Sequence, residues 1–414
     1  MGSKYYVQLI VCLGGPRTPT RAILGRVSSP ALCTIHQRPG DGGIARVSSM
    51  ILRVMQDLSG PPPQVVQLFR PNATTASPVD RLKFAARLLV GQASGNFDWL
   101  FFDHVGPASI QGLIPGPVRR PYGVFLHSLE VWRELSPLQL RTLNQASVLI
   151  ANSHFTVERT LEINPGITRR IDVCHLGLRP EEDVLQEPHP SSRAEAGSGS
   201  YELGSRGSGA DLPVSAPSEP LDENVLNRLG RDYVLIVGRM VAAEGHKGHE
   251  QLIGAWPAIQ AHVPAAKLVV VGRGDDVPRL KQLATNSGCG DAILFAEWVN
   301  DATLDEIYRR AAVFAMPSNG EGFGLVYLEA MKRSLPCIAS STDASREVVV
   351  DGTTGFLVDQ SNRAQIVDRI SRLLQDPDLR ARFGAAGYER VHGYFSFGKF
   401  RERLLPLLKP LLRP

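Results

Sequence analysis

Two glutamates, Glu321 and Glu329, stand with seven residues between them in the stretch SNGEGFGLVYLEAMKRSLPCIAS (318–340), separated by a glycine-punctuated turn. From Leu325 onward apolar and small residues recur at helical spacing, so a helix should begin inside the turn. The first amides of a helix are unpaired and its dipole is positive there, which favours anions. The amides of Gly322, Phe323, Gly324 and Leu325 would then face an anionic group. Carboxylates beside such a group are tolerable if they accept hydrogen bonds from neutral donors, and hydroxyl groups are such donors.

A second stretch supplies cations. GRMVAAEGHKGHEQLIGAW (238–256) reads as a strand end, a loop and a helix beginning near Gly248, with Arg239 and Lys247 flanking the loop. Two cations near a helix start make a diphosphate clamp, arginine by its planar fork and lysine as a point charge; they also suit a tight surface turn. The loop lacks P-loop spacing, and GRGDD (272–276) is not a dinucleotide fingerprint. If the clamp holds a diphosphate, Glu321 lies beside it and Glu329 two helical turns on, roughly 12 Å away by helix rise. One carboxylate would hold a hexose and the other a ribose. Alternatively, Glu321 complements the helix dipole and Glu329 sits on a solvated face.

These residues need a scaffold. Short β-rich runs alternate with helical patterns in each half of the chain, which implies two doubly wound parallel sheets. Strands are predicted at 31–36, 64–69, 99–104, 122–127, 147–153 and 171–176, and again at 233–238, 267–272, 292–297, 313–318, 336–340 and 355–359. Most end in a polar residue or glycine, where open parallel sheets place ligand groups, and two facing sheets leave a cleft. The predicted organisation is an irregular leader (1–29), an N-terminal Rossmann-like domain on the acceptor side (30–185), and a flexible acidic linker rich in Ser, Gly and Pro (186–225). A C-terminal Rossmann-like nucleotide-binding domain (226–390) and a terminal helical segment (391–414) follow. That segment is basic and amphipathic; it either packs back on the first domain or lies on a membrane.

At 414 residues two cores are expected. Composition is ordinary for a globular protein, and there is no apolar run of about 18 residues to span a bilayer. Five scattered cysteines show no metal-ligand spacing; buried free thiols and a reducing compartment fit them. Residues 1–180 hold 19 Lys and Arg against 10 Asp and Glu, whereas residues 181–225 hold 2 against 10. The basic half is either a solvated surface or attracted to anionic lipid or an anionic acceptor. Nucleic acid is not expected, because no recognition motif appears.

Residues 233–391 resemble the nucleotide-binding half of retaining glycosyltransferases of the group 1 (family 4) type. GRMVAAEGHKGHEQLIGAW, LVVVGRGDD, FAEWVNDATLDEIYRRAAVFAMPSNGEGFGLVYLEAM and REVVVDGTTGFLV carry the likeness. The resemblance implies that Glu321 contacts the donor sugar, Glu329 the ribose, and Arg239 and Lys247 the diphosphate, with residues 296–299, Val299 among them, by the base. In the first half DGGIARV (41–47) is similar to the family's glycine-rich loop, which places Gly42 and Gly43 near the diphosphate. HSLEVWREL (127–135) resembles its H-G-x-E-x-W segment and puts His127 near the reacting sugar, with Ser128 standing where glycine is common. Ser153, in ANSHFTVERTL, is either an acceptor-side group or a helix N-cap; His104 is a further acceptor-side candidate.

The expected chemistry is transfer of a hexose from a nucleoside diphosphate sugar to a hydroxyl acceptor with retained anomeric configuration. Neither a metal nor a further cofactor is expected, since cations already neutralise the leaving diphosphate. The expected location is cytoplasmic, with peripheral contact at an anionic inner membrane face left open, as is the oligomeric state. Two alternatives are a non-catalytic nucleotide-sugar-binding paralogue and a two-carboxylate glycoside hydrolase, whose acids stand about 5–9.5 Å apart.

Overall fold

The computed structural model describes residues 29–35, 42–58, 62–69, 75–183 and 220–412. Residues 1–28 of the predicted leader and most of the predicted linker lie outside these residues. Six parallel strands build the first domain: β1 (Pro30–Thr34), β2 (Gln64–Gln67), β3 (Trp99–Phe102), β4 (Tyr122–Leu126), β5 (Val148–Ala151) and β6 (Ile171–Val173). Their order is β2-β1-β3-β4-β5-β6. Six more build the second: β7 (Tyr233–Val237), β8 (Leu268–Val271), β9 (Ile293–Glu297), β10 (Ala311–Ala315), β11 (Cys337–Ser340) and β12 (Gly355–Val358). These run in the order β12-β11-β10-β7-β8-β9. Every residue of β1, β3, β4, β5, β8, β10 and β11 is buried. That is why these strands read as continuous apolar runs: helices cover both faces of each sheet.

Strand order reverses at two places. In the first sheet the chain leaves β1 for β2 on one side and then adds β3 on the other. In the second it leaves β7 for β8 and β9, then adds β10 on the opposite side. Ligands of open parallel sheets bind beyond the strand ends at such switch points. Arg239 and Lys247 follow β7, Glu321 follows β10, Gly42 and Gly43 follow β1, and His104 follows β3.

The second domain begins slightly before residue 226. Asp222 caps the helix Glu223–Leu229, and Leu226 and Leu229 are fully buried, so the last residues of the predicted linker are structured by apolar anchoring. At the other end the helix Pro377–Tyr394 stops at Phe395, Ser396 caps a new helix, and Phe397–Leu408 lies across the first domain. Leu178 N donates to Phe395 O at 2.7 Å, Phe397 N to Asp183 Oδ2 at 2.9 Å, and Arg401 Nε to Asp57 Oδ2 at 2.6 Å. Phe400, Leu404 and Leu408 are buried, so the apolar face of this helix is spent inside the molecule.

Candidate functional site

The loops after β7 and β10 are held together by backbone geometry. Gly248 has φ 92°, and a Cβ there would lie 2.6 Å from Pro317 O, so only glycine fits. Asn319 N donates to His246 O at 2.9 Å, and the Gln360 amide donates to His246 O and Pro317 O, both at 2.8 Å. This stitching places the Lys247 ammonium 2.6 Å from Glu321 Oε1, with both side chains about 15% exposed (16% and 14%). The Glu321 backbone is fixed in turn by Asp343, whose Oδ2 accepts its amide at 3.0 Å. Asp343 Oδ1 accepts the Ser345 amide and hydroxyl. Burial pushes the Asp343 carboxyl up to about 6 in spite of these bonds.

The same turn meets the first domain. A Cβ on Gly322 would sit 2.2 Å from His127 O, which explains glycine there by close approach. Ser153 Oγ donates to Gly322 O at 2.8 Å. His127 is buried, and its Nε2 donates to Asp103 O at 2.7 Å, so the neutral ring keeps Nδ1 as an acceptor. The turn carrying His127 is closed by Glu130, which accepts the amides of His127 and Ser128. Burial opposes ionisation of Glu130, but the nearby His127 and His104 and these two amides outweigh it and hold its carboxyl low. Ser128 is absent from the residues with positive φ, so a serine is accommodated where the family often has glycine.

Glu329 lies near the end of the seven-residue helix Leu325–Met331. It accepts from Tyr308 OH at 2.8 Å and forms an ion pair with Arg46 of the first domain. The Arg46 Nη2 also bonds both oxygens of Glu182 at 2.8 and 2.9 Å. Burial raises the Glu182 carboxyl, yet the Arg46 charge and bonds from Arg179 bring it down to about 2. The sequence reading had Glu321 and Glu329 accept from neutral donors; in the structure neither meets neutral donors alone. Each is paired with a cation, because a largely buried carboxylate needs compensation. Arg46 went unnoticed in the sequence; its signal was a cation just past the first turn of the helix Gly42–Gln56, a turn that holds no acid.

Other predicted residues fall as follows. Gly42 has φ 84°, and a Cβ on Gly42 or Gly43 would meet nothing described within 4 Å, which leaves room above this helix start. Arg239 is exposed just beyond β7. Leu325 is half-buried, and Gly324, at φ 88°, precedes it as the helix cap. The Phe323 ring is not available to a donor: it packs edge-on to Phe395 at 5.7 Å and against His175 at 5.9 Å, within the joint between domains. Val299 is partly buried against the core, next to an exposed Trp298. Ser153 is wholly buried and accepts the Thr156 amide as a helix N-cap. His104 caps the short helix Val105–Ala108 through Nδ1, and burial pushes its pKa down to about 4, so it is neutral near pH 7. All four described cysteines are free thiols.

Residues 218–390 match the family model described as glycosyl transferases group 1. A GDP-mannose-dependent alpha-(1-6)-phosphatidylinositol monomannoside mannosyltransferase of Mycobacterium tuberculosis is 33% identical over 190 residues, 44% of this chain and 49% of that protein. The phosphatidyl-myo-inositol mannosyltransferase of Mycolicibacterium smegmatis is 32% identical over 269 residues, 63% of this chain and 64% of that protein. The chain thus spans about half to two thirds of the length of these relatives. Among solved structures, a sucrose-phosphate synthase from Thermosynechococcus elongatus superposes with TM-score 0.71 at 20% identity, covering 93% of this chain and 99% of its own. Anabaena HepE in complex with UDP-glucose superposes with TM-score 0.66 at 17% identity, covering 92% and 99%. Residues 218–390 thus resemble the group 1 glycosyl transferases, and the chain's two parallel sheets have the architecture of the B-type glycosyltransferase fold.

Proposed function

We propose that this protein transfers a hexose from a nucleoside diphosphate sugar to a hydroxyl acceptor with retention of anomeric configuration. The observation that supports this most is the Lys247–Glu321 pair, largely buried on the turn where the second domain meets the first. An ammonium has three donors, so Lys247 can hold Glu321 and a phosphate oxygen together. The bond between the anomeric carbon and the phosphate oxygen breaks, and the leaving diphosphate gains charge that Lys247 and Arg239 stabilise. The acceptor oxygen attacks the same face, forms the new glycosidic bond, and passes its proton to the departing phosphate. Glu321 accepts a hydroxyl of the sugar, His127 lies beside it with Nδ1 as an acceptor, and the ribose hydroxyls reach Glu329 by displacing Arg46. The loop 296–299 lines the base. The two cations supply the positive charge this step needs, so it calls on no divalent ion.

The mycobacterial relatives are named for phosphatidylinositol-linked acceptors and one for GDP-mannose, whereas the HepE structure holds UDP-glucose. An excess of nine positive charges over residues 1–180 suits an acceptor with an anionic head group. Such an acceptor would place the reaction at an anionic membrane face. No helix among the described residues is long and apolar enough to cross a membrane, and the apolar face of the terminal helix is occupied, so that contact would rest on charge.

The test is nucleotide release and product structure with GDP-mannose, UDP-glucose and ADP-glucose, each with phosphatidylinositol vesicles and simple alcohol acceptors, with and without a chelator. One donor should turn over in an acceptor-dependent manner, insensitive to chelation, and give a product of the donor's own anomeric configuration. Glu321→Ala should cut turnover about 100-fold, the size of losing one transition-state hydrogen-bonding group, while nucleotide binding stays largely intact. Binding without turnover of any donor, or full turnover by Glu321→Ala, would refute the reading.

A further inference from the structure

Behind the turn that carries Glu321, three metal-ligating side chains converge from both domains. His154 opens the helix His154–Ile163, and His175 follows β6; both belong to the first domain. Glu347 lies in the short helix Ser345–Val348 of the second. One ligand atom from each lies within 4.8 Å of the others. His175 Nε2 is 2.7 Å from Glu347 Oε2, and the two imidazole rings stand edge to face with centroids 5.6 Å apart. Two imidazoles on one tetrahedral zinc, with bonds of about 2.0–2.1 Å, would have centroids roughly 5 Å apart. The rings already have nearly that separation.

The surroundings match what a metal site needs. The Glu347 carboxylate is held in place by the amides of His154 and Phe155, at 2.9 and 2.7 Å. Each oxygen keeps a further lone pair, so these bonds and a metal bond are compatible. On the far side of the His175 ring, Nδ1 is 3.0 Å from Tyr394 OH. An outer partner of this kind fixes the tautomer of a ligating histidine. His154 is exposed and gives an entry path, whereas the side chains of His175 and Glu347 are only 11% and 14% exposed.

We infer that His154, His175 and Glu347 form a binding site for a borderline divalent ion of the zinc type, which ties the two domains together. The three side chains fill three positions and water the fourth. In the ion-free protein Nε2 of His175 donates to Glu347 and Nδ1 accepts from Tyr394 OH. On binding, Nε2 takes the ion, the ring proton resides on Nδ1, and Tyr394 OH turns to accept it. His175 packs on Phe323, two residues from Glu321, so the bound ion stiffens the base of the glycine turn. The ion has no part in sugar transfer, and the site stands whether or not the proposed activity is correct.

The experiment uses tag-free full-length protein, freed of metal and dialysed against Zn²⁺ or Mg²⁺, with bound metal counted by elemental analysis. Co²⁺ as a spectroscopic substitute reports ligand geometry. One zinc per chain should be retained in preference to Mg²⁺, and Co²⁺ should give intense visible bands of a four-coordinate site. His154→Ala removes an exposed ring and leaves the helix cap by Glu347 intact, so it should fold normally and bind zinc at least tenfold more weakly. Tyr394→Phe should weaken zinc by about 10–100-fold, as loss of an outer-shell partner does. Zinc affinity unchanged in His154→Ala, or Co²⁺ spectra of a six-coordinate aquo ion, would overturn the inference.

Discussion

Arg46 is the residue whose removal should be felt most widely. It bridges Glu329 of the second domain and Glu182 of the first, with side-chain exposures of 20%, 13% and 12% respectively. Arg46→Met keeps the apolar stem and deletes the charge. Glu182 titrates at about 2 instead of 4.5, a shift worth about 3 kcal/mol at the usual free energy per pH unit. Burial works against that shift; the neighbouring Arg46 charge does most to produce it, and the bonds and charge of Arg179 supply the remainder. Assigning Arg46 somewhat more than half, and adding the loss of one of two partners by Glu329, gives roughly 3 kcal/mol. This lies at the lower edge of the 3–5 kcal/mol seen when one member of a buried pair is removed. The sign of the pH dependence follows from a depressed carboxylate. Its stabilisation is complete above about pH 4.5 and is lost as pH falls toward 2. By pH 3.5 the Glu182 contribution should have dropped by roughly 1 kcal/mol, and the gap between wild type and variant should narrow. Urea unfolding followed by tryptophan fluorescence at pH 7 and 3.5 measures both quantities. A loss below about 1 kcal/mol at pH 7, or a gap that is the same at both pH values, would refute the reasoning.

Two further perturbations test the geometry. Gly322→Ala puts a methyl carbon 2.2 Å from a backbone carbonyl, which cannot give way as a side chain would, so the two domains must separate locally. Turnover should fall at least tenfold while far-ultraviolet circular dichroism is unchanged; unaltered kinetics would show that this contact is dispensable. Asp343 titrates at about 6 in the folded protein because it is buried, so the folded state binds the extra proton and stability should decline as pH rises from about 4 to 6. The decline is at most about 3 kcal/mol for a shift of this size, and Asp343→Asn should remove it. Thermal midpoints measured across that window check the slope, and an unchanged slope in the variant would locate the titration elsewhere.

The scaffold was legible in the sequence because its signals are local. All twelve predicted strands coincide with observed ones, since fully buried parallel strands leave unbroken apolar runs, and the helix starts near Gly248 and Leu325 follow from glycines and periodicity. The terminal segment is helical as well, with a break at Phe395 and Ser396. What could not be read was pairing between distant residues. Arg46 and Glu329 are 283 positions apart, Ser153 and Gly322 are 169 apart, and Glu347 caps a helix 193 positions upstream. Nothing in local composition links such partners.

The central claim is that a nucleoside diphosphate sugar is held by Lys247 and Arg239 at its diphosphate and by Glu321 and Glu329 at its hydroxyls. A crystal structure of the protein with its turned-over donor tests this directly. The account predicts phosphate oxygens within hydrogen-bonding distance of the Lys247 ammonium and the Arg239 guanidinium, a sugar hydroxyl on Glu321, and ribose on Glu329 with Arg46 displaced. A diphosphate bound away from both cations, or a donor in place with Glu329 still paired to Arg46 and no ribose contact, would contradict it.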